Sequence, residues 1–364
     1  MSTVRSRVDS YLLAATLILV GFSLVMVYST TGTIGEEKFG DPFFYLKRQG
    51  VAALLGIFGL FICSKLKPEL LSKYSWLGLP LALLCLILTF IPSLHDGAGG
   101  AVRWVSLGGF RFQPGELAKL LVVLFMAGYF ARRADKVENF SSGVLVPFLY
   151  AGLIGAVFLL QPDFGSAAVV CLIVLILCVA AGVPIRFIAA CGFVAVLLAG
   201  LAIALSPYRM MRVVSFLAPW QDPEGSGYQL IQSLIALGSG HVSGVGLGES
   251  QQKLMFLPAA HTDFIFSVIG EELGFFGCMF VLGMFFVLLW RGLTIAKSLE
   301  HNTFSFVLAV GLTMLIVVPA FLNMGVATGV LPTKGMVLPL VAYGGTNLVM
   351  SLSCIGLLLS LSRR

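Results

Sequence analysis

Charged residues are scarce in this sequence. Asp, Glu, Lys and Arg make up 11% of its 364 residues, whereas a soluble globular domain has roughly 25%. Hydrophobic residues make up 58%, so the chain has too few polar side chains to cover a surface that faces water. This composition excludes a soluble globular enzyme and predicts a protein whose solvent is largely lipid.

The sequence also lacks paired cysteines and clustered histidines. Its seven cysteines are scattered through apolar runs without a CxxC pair, and its four histidines lie far apart. We interpret the cysteines as packing residues and expect no local metal site. A cleavable signal peptide is not evident, because the N-terminal MSTVRSRVDS leads straight into an apolar run that we expect to remain as a first span.

Ten apolar runs are long enough to cross a bilayer, which takes about 17 to 25 residues each. The sequence therefore predicts an all-α polytopic membrane protein with about ten transmembrane helices in a single domain, 1–364. The predicted spans are 11–28, 49–64, 75–93, 116–131, 144–160, 165–182, 185–205, 264–290, 304–324 and 338–361.

Basic residues fix the predicted orientation. If the N-terminus is cytoplasmic, the inner segments hold 13 of the 23 basic residues and five of the 17 acidic ones. Short cytoplasmic loops are enriched in Lys and Arg, so both termini are predicted to be cytoplasmic. Because the positive charge is spread over several loops rather than forming one patch, we expect no nucleic-acid partner.

One predicted outer segment, 206–262 between spans seven and eight, is much longer than the other loops, and long loops are where function concentrates. Within it, GYQLIQSLIALG places Leu230, Ile231, Leu234 and Ile235 on one face of a helix. This pattern fits a helix lying on the membrane surface or, equally well, a helix packed on the bundle.

Ionisable residues inside a membrane are costly and are candidates for a functional site. Glu116 and Lys119 open the fourth span, and their i, i+3 spacing lets them pair. They form either a structural ion pair or the lining of a polar cavity. Arg209 and Arg212, one helical turn apart at the outer end of span seven, suit either phosphate binding or contacts with lipid headgroups.

Three acids lie in or next to the eighth span. Asp263 stands at its start, where it serves either as an ordinary helix cap or as a functional carboxylate. Glu271 is about 12 Å deeper if the helix is continuous, and only about 80° around it. Glu271 and its neighbour Glu272 require protein or water partners at that depth.

Four separated segments resemble the signature segments of the SEDS family, which comprises the FtsW, RodA and SpoVE proteins. The resemblance extends to the ten-span layout, and the segments LPTKG, which contains Lys334, and QQKL are closer to the FtsW and SpoVE branch. The four segments are AVRWVSLGGFRFQPGELAKL, YRMMRVVSFLAPWQDPEGSGYQLIQSLIALGSG, GVGLGESQQKLMFLPAAHTDFIFSVIGEELG and GVLPTKGMVLPLVAYGGTNLVM.

The resemblance implies a peptidoglycan glycosyltransferase that polymerises lipid II at the outer face of the cytoplasmic membrane, with septal cell division as its expected setting. The expected partners are a class B penicillin-binding protein and other membrane proteins of the division machinery. Asp263 matches the family's proposed base, which would accept a proton from the attacking sugar hydroxyl. The expected substrate-binding residues are Glu116, Lys119, Arg209, Arg212, Glu271 and Lys334.

A divalent cation, Mg or Mn, is a further expectation, since some glycosyltransferases use one against the pyrophosphate. Three other functions also fit the sequence. Buried charges also suit a lipid II flippase, and the long outer segment suits a scaffold without catalysis that recruits a synthase. An elongation or sporulation paralogue of the same family is the third.

Overall fold

The computed structural model confirms an all-α membrane protein. It describes residues 8–92, 103–107, 110–205, 210–211, 214, 216–225, 227–253, 256–332 and 335–363. Eight helices in this part of the chain are long and apolar enough to cross a membrane, and two shorter apolar helices occupy the predicted sixth and seventh spans. Each of the ten predicted apolar runs therefore contains a helix within the described residues.

The helices before the long outer segment run as follows. The third span is interrupted by 3-10 turns at Ser75–Leu77 and Leu88–Phe90. The elements are α1 (Ser10–Phe39), α2 (Phe44–Cys63), α3 (Pro68–Tyr74), α4 (Gly78–Ile87), α5 (Pro114–Arg132), α6 (Val146–Leu160), α7 (Phe164–Ala180) and α8 (Ile185–Ala204).

Within the described residues, four longer helices follow. They are α9 (Tyr228–Ser239), α10 (Ile265–Ser298), α11 (Thr303–Ala327) and α12 (Gly345–Ser362). The start of α10, the end of α11 and the start of α12 lie at one end of the bundle. We call it the outer end because the charge pattern predicts that it faces outside the cell. Helices α5, α11 and α12 are the most buried, and α11 packs against α5, α7, α10 and α12.

Large apolar side chains cover the outside of the bundle. Leu54 and Phe58 on α2 are 70% and 63% exposed, and Phe276 and Trp290 on α10 are 68% and 63% exposed. Apolar surface of this extent is normal only where lipid replaces water. All seven cysteines are free thiols, which agrees with their interpretation as packing residues.

Several boundaries differ from the prediction. Helix α1 continues to Phe39, eleven residues beyond the predicted end at 28. The more polar residues after 28 remain helical until Gly40, whose left-handed conformation ends the helix. Helix α12 begins at Gly345 rather than 338. The preceding Leu338, Leu340 and Val341 are nonetheless fully buried, so their hydrophobicity reflects packing of an irregular segment.

A β-hairpin that was not predicted precedes α5. Strands β1 (Val105–Leu107) and β2 (Phe110–Phe112) pair antiparallel, with Ser106 opposite Arg111. In the sequence, two glycines separate the strands, which is a pattern typical of a two-residue hairpin connection. Gln113, directly after β2, donates its backbone N–H to the Thr346 hydroxyl at 3.2 Å, so the junction between the hairpin and α5 contacts the start of α12.

Helix α9 packs on the bundle rather than lying free on the membrane surface. Leu230 and Ile231 are buried, but Ile235 is 41% exposed. Ser233 is fully buried: its hydroxyl meets the Ser267 hydroxyl at 2.5 Å and donates to the Ala327 carbonyl at 2.7 Å. These contacts attach the outer segment to α10 and α11.

Candidate active site

Asp263 lies in a tight turn just before α10. The Ala259 carbonyl accepts the backbone N–H groups of Thr262, Asp263 and Phe264 at 3.1, 3.1 and 3.3 Å. Helix α10 starts at Ile265 with Phe264 as its N-cap, and no side chain caps it. The prediction that Asp263 could serve as an ordinary helix cap is therefore wrong, because the carboxylate lies outside the first turn.

The Asp263 carboxylate faces the backbone of the segment that follows α11. A Cβ atom added to Gly335 would lie 2.6 Å from Oδ2 of Asp263. That separation is too short for a Cβ contact, so a side chain at position 335 would require the Asp263 carboxylate to move. The Tyr343 backbone N–H donates to the His261 carbonyl at 3.0 Å, which anchors the same turn to the segment before α12.

Burial raises the pKa of Asp263 to about 6, because desolvation disfavours the ionised carboxylate. A hydrogen bond from Thr262 and the positive charge of Arg103 oppose this shift. Burial also lowers the pKa of the neighbouring His261, and the charge of Lys38 acts in the same direction. The raised pKa brings this carboxylate closer to neutral pH, where a general base accepts a proton most effectively.

Glu116 and Lys119 form the predicted ion pair at the start of α5. Lys119 Nζ lies 2.8 Å from Oε1 of Glu116, and both side chains are largely buried. Asn347 on α12 donates to the other carboxylate oxygen of Glu116 at 3.2 Å. A narrow cavity between α5, α11 and α12 is lined by this pair together with Ile316 and Ser351, among others. A role for the pair in substrate binding stays a prediction.

Glu271 binds the loop that precedes Asp263. Its carboxylate accepts hydrogen bonds from the Ser250 hydroxyl at 2.5 Å and from the backbone N–H groups of Gln251 and Gln252 at 2.9 and 3.4 Å. A cavity of about 390 Å³ opens beside it, lined by Ile235, Ser239, Val245, Glu249, Gln251, Gln252 and Glu271. In this structure, Glu271 therefore anchors residues 250–252 to α10. Its part in substrate binding stays a prediction.

Glu272 pairs with a lysine that sequence reasoning missed. Lys253 Nζ lies 2.9 Å from Oε1 of Glu272, and the two side chains are 5% and 0% exposed. Ser29 on α1 donates to both oxygens of the same carboxylate at 2.7 and 2.6 Å. Lys253 is the single lysine of segment 206–262, and this is the signal that could have identified it as the counter-ion. The expectation that the two acids have protein partners is confirmed.

Helix α10 is interrupted just beyond these acids. Gly274 adopts φ 64° and ψ −158°, a conformation that strongly favours glycine. The loop supplies the backbone partners that the broken helix lacks: Phe275 N–H donates to the His241 carbonyl at 3.0 Å, and Val245 N–H to the Glu271 carbonyl at 3.0 Å. Irregular backbone at membrane depth requires such partners. The two acids and the kink together fix loop 241–253 to α10.

The structure brings some of the predicted residues together and leaves others outside its description. Asp263 and the Glu116–Lys119 pair lie at the outer end and are connected through the 335–347 segment, which contacts the Asp263 turn at Tyr343 and Glu116 at Asn347. Arg209, Arg212 and Lys334 lie outside the described residues. Arg103 was not a candidate from the sequence, but its positive charge lowers the pKa of Asp263 and so opposes the effect of burial.

Within the described ranges, no three His, Cys, Asp or Glu side chains form a group that could hold a metal ion. The expected Mg or Mn dependence stays a prediction.

A family model for cell cycle proteins of the FtsW, RodA and SpoVE type matches residues 10–364. The chain belongs to this family. Similar members include the "Probable peptidoglycan glycosyltransferase FtsW" of Geobacter sp. (strain M18), which is 42% identical over 364 residues with 98% of each chain covered. The protein of the same name from Alcanivorax borkumensis is 41% identical, with 98% of this chain and 93% of the relative covered.

Two solved structures show that family members share this fold. One is described as "Structural coordination of polymerization and crosslinking by a peptidoglycan synthase complex"; its matching chain is 29% identical, with a TM-score of 0.80 and 98% of each chain covered. The other is the rod shape determining protein RodA of Thermus thermophilus, which is 27% identical, with a TM-score of 0.70 and 98% and 97% of the two chains covered.

Proposed function

We propose that this protein is a peptidoglycan glycosyltransferase that polymerises lipid II at the outer face of the cytoplasmic membrane, with Asp263 as the general base. The observation that carries the proposal is the position of Asp263: a half-buried carboxylate at the outer end, with a raised pKa, held in a turn outside α10. Family membership and the names of the relatives support the reaction class.

The reaction needs one proton acceptor and one stabilised leaving group. A sugar hydroxyl of the acceptor attacks the anomeric carbon of the donor sugar, a new C–O bond forms, and the bond from that carbon to the diphosphate oxygen breaks. Asp263 takes the hydroxyl proton, and undecaprenyl diphosphate leaves with the bonding electron pair. A base within hydrogen-bond reach of the hydroxyl contributes about 100- to 10,000-fold to the rate.

Cations near the base would stabilise the diphosphate as it leaves. Among the described residues, Arg103 is a candidate, because its positive charge influences Asp263. Its guanidinium donates hydrogen bonds to the carbonyls of Gln161 and Pro162. Arg209, Arg212, Lys119 and Lys334 remain further candidates from the sequence.

The proposed partner is a class B penicillin-binding protein that cross-links the product. The structural neighbour described as a peptidoglycan synthase complex supports a partner of this kind. We place its contact on α10, α11 and the outer segment 206–262, where Ile235 is the exposed apolar residue of α9. The FtsW relatives favour a role at the division septum, with other membrane proteins of the division machinery.

Reconstitution of the purified protein with fluorescent lipid II in vesicles tests the function. With the partner synthase present, we expect glycan polymer long enough to resolve on a gel. A parallel assay measures whether lipid II moves from the inner to the outer leaflet. Lipid movement without polymer would favour the flippase. If the partner synthase makes the same polymer when this protein is left out, the result would favour a scaffold.

A further inference from the structure

A buried asparagine ties two backbone segments together at the outer end. Asn323, close to the end of α11, is 1% exposed. Its Nδ2 donates to the Asp263 carbonyl at 2.7 Å and to the Met336 carbonyl at 2.5 Å. One amide group therefore connects the turn before α10 with the segment that follows α11.

The orientation of this amide is fixed by chemistry. Both acceptors are carbonyl oxygens, so only the NH₂ group can face them, since an amide oxygen has no hydrogen to donate. The Asn323 Oδ1 atom is buried and has no hydrogen-bond partner among the described residues. A buried acceptor without a partner is unfavourable. The Asn323 amide group thus makes both of its donated hydrogen bonds, while its oxygen accepts none from the described residues.

The two segments that Asn323 joins also meet at the Asp263 carboxylate. Gly335, next to Met336, leaves the space that Oδ2 occupies, since a Cβ there would lie 2.6 Å from that atom. The separation of the two backbones therefore determines where the carboxylate lies. Asn323 donates to both of these backbones, at the Asp263 carbonyl and at the Met336 carbonyl.

We propose that Asn323 is a positioning residue which holds the Asp263 turn against the backbone at Gly335 and so places the carboxylate for reaction. The inference rests on the proposed function. A general base must lie within hydrogen-bond reach of the proton it accepts, and a misplacement of about 1 Å can reduce the rate by about 100-fold. Removing Asn323 leaves two carbonyls without their shared donor and frees the turn to shift.

The test compares Asn323→Ala with Thr313→Val. Thr313 is a buried polar residue on the same helix, but its hydroxyl donates to the Ala309 carbonyl within α11. Lipid II polymerisation is measured with the partner synthase present, after the proteins have been matched for melting temperature. For Asn323→Ala we expect kcat to fall about 100-fold, with KM for lipid II nearly unchanged because ground-state binding is retained. Thr313→Val should keep its kcat.

A pH profile separates positioning from general damage. In the wild type, we expect the acid limb of kcat/KM to reflect the titration of Asp263. A carboxylate that shifts toward water is less desolvated, so this limb should move to lower pH in Asn323→Ala. Thr262 and His261 belong to the same turn as Asp263, whereas the positive charge of Arg103 comes from a separate segment. A loss of activity caused only by fewer folded molecules would leave the limb where it is.

Further variants keep the inference falsifiable if Asn323→Ala does not accumulate. Asn323→Ser retains one hydroxyl donor and should show a smaller fall in kcat. Gly335→Ala leaves Asn323 intact but adds a methyl group where Oδ2 lies, and it should also lower kcat. A normal kcat in Gly335→Ala would contradict the placement of the carboxylate.

Two outcomes would overturn the inference directly: a well-folded Asn323→Ala with wild-type kcat and pH profile, or an equal loss in Thr313→Val. Asp263→Asn, assayed in parallel, separates the two levels of the proposal. If Asp263→Asn is inactive and Asn323→Ala is normal, only the positioning role fails. If Asp263→Asn is active, the assignment of the base fails, and the positioning role fails with it.

Discussion

Replacing Lys253 with methionine removes one partner of a buried ion pair. Lys253 Nζ lies 2.9 Å from Glu272 and also donates to the Gly248 carbonyl at 2.6 Å. Methionine fills a similar volume without the charge, so Glu272 is left with the Ser29 hydroxyl as its remaining described partner. Breaking a buried pair in this way costs roughly 3–5 kcal/mol, and the retained Ser29 bond favours the lower end, about 3 kcal/mol.

A second ion pair in the same chain provides the control. Lys47 and Asp41 lie 2.7 Å apart, but their side chains are 68% and 32% exposed. Exposed pairs contribute roughly 0–1 kcal/mol, so Lys47→Met should change the free energy of unfolding by no more than about that amount. The comparison isolates burial, because both substitutions remove a lysine charge from a pair with a carboxylate.

The assay is equilibrium unfolding of purified protein in mixed micelles, followed by circular dichroism. We also measure the double variant Lys253→Met with Glu272→Gln, which should recover much of the loss because no uncompensated charge remains buried. If Lys253→Met is no less stable than Lys47→Met, or if the two substitutions are strictly additive, the pair does not hold the loop to α10 as we argue.

The buried Glu116–Lys119 pair, the membrane orientation and the pKa of Asp263 each give one further prediction. Glu116→Ala and Lys119→Ala should each lower stability or activity, since either single change leaves a buried charge unpaired. The double variant should recover part of the stability, whereas additive losses in a melting assay would indicate separate partners. A reporter active only outside the cell should be active when fused after Gly248 and silent after Lys136, and the opposite pattern would reverse the orientation. The acid limb of kcat/KM should lie near pH 6, with activity lost as the pH falls below it, because protonated Asp263 cannot accept a proton; a limb near pH 4 would contradict a buried base.

The spans were predictable because each depends on local composition. A run of about twenty apolar residues forms a helix in lipid whatever its tertiary partners are. The ends were harder to predict where packing overrides hydrophobicity. The residues before Gly345 are buried without being helical, and Ser233 is buried because its hydroxyl finds partners on two other helices.

The site was predictable in its residue types but not in its contacts. Asp263 and the Glu116–Lys119 spacing are visible in the sequence, whereas the break at Gly274 depends on the distant His241 and Val242 carbonyls. The Lys253–Glu272 pair joins residues 19 positions apart, across the turn that carries Asp263. Asn323 gave no sequence signal, because its role depends on two backbone carbonyls that only folding brings together.

The central claim is that Asp263 accepts the proton of the attacking hydroxyl, and Asp263→Asn tests it most directly. Asparagine keeps the size of the side chain, and the turn is held by backbone bonds to the Ala259 carbonyl, so folding should be retained. Removing a general base predicts a rate about 100- to 10,000-fold lower. The measurement is polymerisation of labelled lipid II by wild-type and Asp263→Asn protein, each with the partner synthase and matched for melting temperature. Our account predicts little or no polymer from the variant, and near-normal polymer from a well-folded Asp263→Asn would contradict it.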